Sequence, residues 1–192
     1  MDALIETVLE RLYAEDAAQR AAGLPSAQRT RNVDRETGRW LGLLIRATRA
    51  REILEMGSSN GVSTIWLAAA AKPNGGRVTG TEILPARAAE ANRNLAAAGL
   101  GDVARVVPGD ARATAAALDG PFDLVFIDAE KDDYVDHFLA AIDRVEAGGL
   151  ILADNVVSHD LSAYQAMLRS REDVETVTIP MGRGIEFTVK LV

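Results

Sequence analysis

The sequence predicts an α/β fold: a doubly wound sheet of seven strands, mostly parallel, closed by an antiparallel C-terminal hairpin and preceded by N-terminal helices. Three observations predict it. Short apolar runs alternate with helix-length stretches from residue 51 onward. Residues just after those runs are polar and acidic, as expected where a parallel sheet offers its strand ends to a ligand. Only Met181-Gly182-Arg183-Gly184 separates the last two runs, too little for a helical crossover, so those two strands must pair antiparallel.

The elements follow in order. Leu4, Ile5, Val8, Leu9 and Leu12 recur at helical spacing, predicting an amphipathic helix over 3–21 that Gly23-Leu24-Pro25-Ser26 breaks. A second helix follows Asp34, with Trp40, Leu41, Leu44 and Ile45 turned to the core. Strands are expected at 52–56, 77–83, 104–107, 122–127, 150–153, 176–179 and 185–192. Helices fill the gaps at 63–71, 86–98, 111–118, 134–145 and 160–170. We read residues 1–192 as one domain, with 1–48 a helical extension and 49–192 the core.

Composition narrows the function. The chain has no cysteine, which excludes a disulfide framework and thiolate zinc sites and suits a cytoplasmic setting. No apolar stretch approaches the ~20 residues of a membrane span, and the first residues, with Asp2 and Glu6, do not read as a signal peptide. A net charge of −7 disfavours a nucleic-acid partner. The one basic cluster, Arg29, Arg31, Arg35 and Arg39, reads as a solvated helix face and its leading loop.

The first strand runs into Glu55-Met56-Gly57-Ser58-Ser59-Asn60-Gly61, a tight turn before a helix that opens with Ser63 and Thr64. Glycine there lets a ligand approach the backbone. Glu82, ending the second strand, can accept hydrogen bonds from a ribose diol. A dinucleotide would need GxGxxG, with its pyrophosphate on the helix N-terminus. Here Ser59 occupies the second glycine's place and the spacing is GxxxG. Glu55 would also repel a pyrophosphate, whereas the ammonium and sulfonium of S-adenosylmethionine suit it. The Rossmann-like sheet is therefore expected to serve methyl transfer.

A second constellation lies at the fourth and fifth strand ends: Asp128-Ala129-Glu130-Lys131 and Asp154-Asn155. Asp128, Asp154 and Asn155 offer hard oxygen donors suited to Mg²⁺, Mn²⁺ or Ca²⁺; the plainer alternative is that each aspartate caps the following helix. From about residue 30 onward, the chain resembles the cation-dependent O-methyltransferases, the class of caffeoyl-CoA and catechol O-methyltransferases. The matching pieces are Glu55-Met56-Gly57 with Gly61 and Ser63, Gly109-Asp110-Ala111, residues 126–131 with Tyr134, Gly148-Gly149 leading into Asp154-Asn155, and residues 180–184.

That resemblance implies donor contacts at Val33, Glu55, Gly57, Ser58, Ser63, Glu82, Ala111, Asp128 and Glu130, and a cation held by Asp128, Asp154 and Asn155. It implies Lys131, with Asp128, at the reacting centre, where the lysine takes the acceptor's proton or stabilises its oxyanion. It sets His137 at a position that touches substrate in some relatives, and it implies a homodimer acting on a small hydroxylated acceptor. Two departures stand out. Asp34-Arg35 replace a Ser-Pro-like pair, and only residues 156–160 separate Asn155 from the next helix, predicting an open acceptor pocket. His159 either lines that pocket or is a plain loop residue. The competing readings are a methyltransferase for hydroxylated uridine in tRNA and a non-catalytic S-adenosylmethionine-binding protein.

Overall fold

The structure, a computed structural model, describes residues 2–192. Helices α1 (Ala3–Ala21) and α2 (Arg35–Thr48) lead into β1 (Glu52–Met56), α3 (Val62–Ala71), β2 (Arg77–Glu82), α4 (Pro85–Ala97) and β3 (Ala104–Pro108). Then come α5 (Ala111–Ala117), β4 (Phe122–Ile127), α6 (Tyr134–Ile142), β5 (Val145–Asp154), α7 (Ser162–Arg169), β6 (Val174–Ile179) and β7 (Ile185–Lys190). Asp2 and Asp34 cap α1 and α2 by accepting from the amides of Leu4 and Thr37.

The seven strands lie in the order β3-β2-β1-β4-β5-β7-β6. β1 pairs in parallel with both β2 and β4, so the chain winds outward in opposite directions from that pair. A crevice must open there, between the helices leaving β1 and β4. β7 returns antiparallel to both β5 and β6, as the short connection required.

The period of two along each strand divides the core. Ile53, Leu124, Phe126, Leu150 and Leu152 face α1–α4, whereas Leu54, Met56, Val125, Ile127, Ile151 and Ala153 face α5–α7. Glu55 shares the parity of Ile53 and so points towards α3. Helix α3 is buried almost all round. α2 comes so close that a Cβ on Gly38 would overlap the Trp66 ring, and Trp66 Nε1 donates to the Tyr13 hydroxyl of α1 at 3.1 Å. Ile5, Val8, Leu9 and Leu12 of α1 are thus buried in the chain's own fold, whereas Leu4 is left 51% exposed.

Most boundaries differ from expectation by a residue or two. The larger difference is β5, which begins at Val145 rather than 150. Gly148 and Gly149 hide this start, and the register with β4 shifts between Phe122 and Leu124 to accommodate it. α6 ends three residues early, at Ile142. Among the described residues, no helix is long and apolar enough to cross a membrane.

Candidate active site

A cavity of about 790 Å³ opens at the C-terminal ends of the parallel strands. Its base is the β1–α3 turn. Gly57 sits at φ +97°, and a Cβ there would overlap the Asp128 carbonyl. The amides of Gly57 and Ser58 both donate to Thr81 O, at 3.1 and 2.9 Å, which ties the turn to β2. Glu55 lies beneath this turn, fully buried, and does not itself line the cavity. Its Oε2 accepts from the Ser58 hydroxyl at 2.5 Å and from the Thr64 hydroxyl, while Oε1 has no partner. Burial pushes its pKa up to about 6, against the pull of the Ser58, Ser63 and Thr64 hydroxyls.

Glu82 stands at the end of β2, lines the cavity and accepts from the amides of Ser59 and Leu84, both at 2.9 Å. Fixed in this way, its carboxylate has lone pairs left for a ligand diol. Next to it, Ile83 lines the cavity with 64% of its surface exposed. Sequence reading passed over Ile83 because it ended a predicted strand; an apolar residue left bare beside a carboxylate was the available signal. Ser58, Ser63, Ala111 and Val33 also line the cavity.

Residues 26–33 form a strap across the donor side. Arg87 donates to Ala27 O and Arg29 O, Ser59 Oγ donates to Thr30 O at 2.7 Å, and Thr30 N donates to Gln19 Oε1 at 2.8 Å. Arg183, from the β6–β7 turn, donates to Asn32 O at 2.9 Å. Arg31 pairs with Glu130 at 2.6 Å, so the exposed Glu130 side chain holds the strap as well as the rim. The basic cluster is therefore not a merely solvated face. Arg29 and Arg31 line the cavity, and Arg35 pairs with Glu10 at 2.8 Å and lies over the Tyr13 ring. Arg35, although paired, and Arg39 fit the expectation of exposed helix residues.

On the other side of the switch point, Asp128 and Asp154 end adjacent parallel strands, whose last pair is Ile127 with Ala153. Lys131 Nζ donates to Asp128 Oδ1 at 3.0 Å and to the Tyr134 hydroxyl at 2.6 Å; that hydroxyl in turn donates to Asp154 O at 2.9 Å. Tyr134 thus fixes the lysine by a route that residue spacing alone does not reveal. Burial first, and then the Asp128 charge, push Asp154 up to about 7. Asn155 adopts φ +73° and lines the cavity, with its buried Nδ2 lacking any partner.

By chemistry this donor set suits a divalent cation; Asp128 and Asn155 line the cavity, while Asp154 is buried behind them and does not. The two carboxylates repel each other, and half a turn of the unpartnered Asn155 amide presents its oxygen in place of Nδ2. Among the described residues, no three carboxylate, histidine or cysteine side chains cluster as metal ligands.

The two histidines fall on opposite sides. His137 is buried, lines the cavity and has no partner on Nδ1. Burial lowers its pKa, with the charges of Asp133, Arg112 and Asp110 nearby. It therefore stands on the β3 side of Asp128, away from Asp154, and is not the partly exposed helix residue that a plain reading allows. His159 lines the cavity on the β5–β7 side together with Asn155 and Arg183.

A family model described as O-methyltransferase matches residues 8–191. The chain is 42% identical to the catechol O-methyltransferase of Mycobacterium tuberculosis, over 82% of this chain and 71% of that protein. It resembles the O-methyltransferase of Bacillus cereus solved with S-adenosylhomocysteine: TM-score 0.82, 28% identity, 96% of this chain and 90% of the other. The O-methyltransferase TomG of Streptomyces achromogenes, solved with S-adenosylmethionine, is similar at TM-score 0.82 and 29% identity, covering 100% and 91%.

Proposed function

The chain belongs to the O-methyltransferase family and is an S-adenosylmethionine-dependent enzyme; we propose that it methylates one hydroxyl of a small catechol-like or vicinal-diol acceptor with the help of a divalent cation. The observation that carries the reading is the pair of strand-end carboxylates, Asp128 and Asp154, with Lys131 3.0 Å from the first. We read residues 1–192 as a single methyltransferase domain that works as a homodimer.

S-adenosylmethionine, when bound, supplies an electrophilic methyl group, and the cation, Mg²⁺ or else Mn²⁺ or Ca²⁺, supplies a charge that acidifies the acceptor hydroxyl. Asp128, Asp154 and Asn155 would hold that cation. Glu82 would take the ribose hydroxyls, and Ile83, Ala111 and His137 would face the purine. Gly57, Ser58, Ser63 and Val33 would shape the space for the methionine portion, with Glu55 as a buried anion beneath it. Lys131 Nζ, steered by Tyr134, would accept the acceptor's proton or stabilise the oxygen left behind. The strap, with Arg31 and Glu130, would keep water from the methyl group. These tasks are positioning and electrostatics, which is what an in-line methyl transfer requires of a protein. The net charge of −7, with Arg31 and Arg35 already paired to Glu130 and Glu10, gives the tRNA reading little support.

The test is methyl transfer from labelled S-adenosylmethionine to a catechol panel, with and without chelator, for the native chain and Asp154→Ala. Chelation and the substitution should each lower turnover about a hundredfold while S-adenosylhomocysteine affinity changes less than about threefold. Turnover indifferent to both would sink the cation reading.

A further inference from the structure

Two arginines of the cavity, Arg29 and Arg183, have no carboxylate partner among the described residues, and Arg29 belongs to the strap on the donor side. Arg20, Arg31 and Arg112 each pair with a carboxylate, on Asp16, Glu130 and Asp110. Arg87 is spent on two strap carbonyls on the donor side. Arg183 has no carboxylate within ion-pair distance among the described residues, and its one hydrogen bond runs from Nη2 to Asn32 O. The rest of its guanidinium fork has no protein partner.

Its place in the fold is fixed from two sides. The Asn32 bond holds the tip against the strap. The backbone is stitched to the loop after Asn155: Arg183 O accepts from the amides of Val157 and Ser158 at 3.0 and 3.1 Å, and Gly184 O accepts from Val156 at 3.1 Å. Because Ile185 pairs with Asp154, the turn carrying Arg183 rises at the same end of the sheet as Asp128 and Asp154. The donor half of the cavity lies over β2 and β1, so Lys131, Asn155, His159 and Arg183 mark the acceptor half.

We propose that the acceptor is an aromatic vicinal diol carrying a carboxylate on the far side of its ring, and that Arg183 reads that carboxylate. The inference rests on the diol reading above and adds a charge requirement to it. A planar guanidinium matches a carboxylate in two parallel hydrogen bonds, a geometry that a lone lysine cannot reproduce. The chain carries a net charge of −7, so an anion needs a local cation to be admitted at all. On the acceptor side Arg183 is the cation without a carboxylate partner, and its bond to Asn32 O holds its tip there.

The experiment compares 3,4-dihydroxybenzoate with 3,4-dihydroxybenzamide, a matched pair differing in charge, as substrates of the native chain, Arg183→Gln and Arg183→Lys. Glutamine keeps an N–H for Asn32 O but loses the charge. The native chain should prefer the acid by about tenfold or more in kcat/KM. Arg183→Gln should lower kcat/KM for the acid by roughly 10–100-fold, mostly through KM, and leave the amide within about threefold. Arg183→Lys should recover part of the loss, and S-adenosylhomocysteine affinity should not move. Equal turnover of acid and amide by the native chain, or equal losses for both in Arg183→Gln, would overturn the inference and leave the diol reading standing.

Calorimetric titration of benzoate into the S-adenosylhomocysteine complex separates the other failure. Arg183-dependent benzoate binding without methylation of any diol would keep the anion site and discard the diol reading. No benzoate binding and no diol turnover would discard both.

Discussion

Glu55 is a carboxylate without solvent, with one oxygen held by two hydroxyls and the other idle. Its pKa of about 6 lies above the usual 4.5, so folding favours the protonated form. The stabilising contribution is full below the unfolded value and is lost as pH rises through about 6. Above that the fold holds a buried charge at a cost of about 2 kcal/mol. Such a cost is reasonable where a cationic ligand is to sit. Glu55→Gln removes the titration while its side-chain oxygen can still accept from Ser58 and Thr64. Urea unfolding should show the variant gaining about 1–2 kcal/mol relative to the native chain between pH 5 and pH 8. Donor affinity at pH 8 should fall about tenfold, since the buried anion is gone. A stability difference that does not change with pH would mean that Glu55 titrates as an ordinary carboxylate and does not serve the donor electrostatically.

The β1–α3 turn works only if its backbone can lie against the end of β4. Gly57 provides this twice over, by its φ of +97° and by the missing Cβ that would strike Asp128 and Ala129. Gly75 separates the two effects, since it is also left-handed, at φ +69°, but has nothing within 4 Å of a would-be Cβ. Gly75→Ala should therefore cost only the backbone preference, about 1 kcal/mol. Gly57→Ala adds a collision with main chain that cannot rotate away, and should cost at least about twice as much. It should also weaken S-adenosylhomocysteine binding about tenfold or more, because the turn and the Asp128 strand end would be pushed apart. Thermal melts and calorimetry on the two variants check this. Equal losses in both would mean that the close approach to β4 is not what requires glycine. The need for glycine was legible in the sequence because turn, strand and helix are contiguous there. What it packs against was not, since Asp128 lies 71 residues on.

At the scale of the molecule, the same distinction decides what could be read. Strand periodicity, the alternation with helices and the short β6–β7 connection are local features, and they predicted the seven-stranded sheet and its antiparallel end. The strand-end acids were legible for the same reason, because parallel topology alone brings Asp128 and Asp154 side by side. The strap was not legible. Arg31 meets Glu130 across 99 positions and Arg183 meets Asn32 across 151, and no spacing rule links residues so far apart. The strap is also held mainly by polar contacts, and its exposed Arg31–Glu130 pair contributes only about 0–1 kcal/mol. Its exposed start, residues 26–28, opens at little cost, whereas Thr30, Asn32 and Val33 are buried and keep their place, and a ligand beneath should hold the start down. S-adenosylhomocysteine at a hundred times its Kd adds about 2.7 kcal/mol to stability. For a domain of this size that raises the melting midpoint by roughly 5–10 °C. If the start of the strap closes on the donor, amide exchange in residues 26–28 should slow together with that in the β1–α3 turn. A melting shift with protection confined to the turn would show that the donor binds to the sheet alone and leaves the strap outside the site.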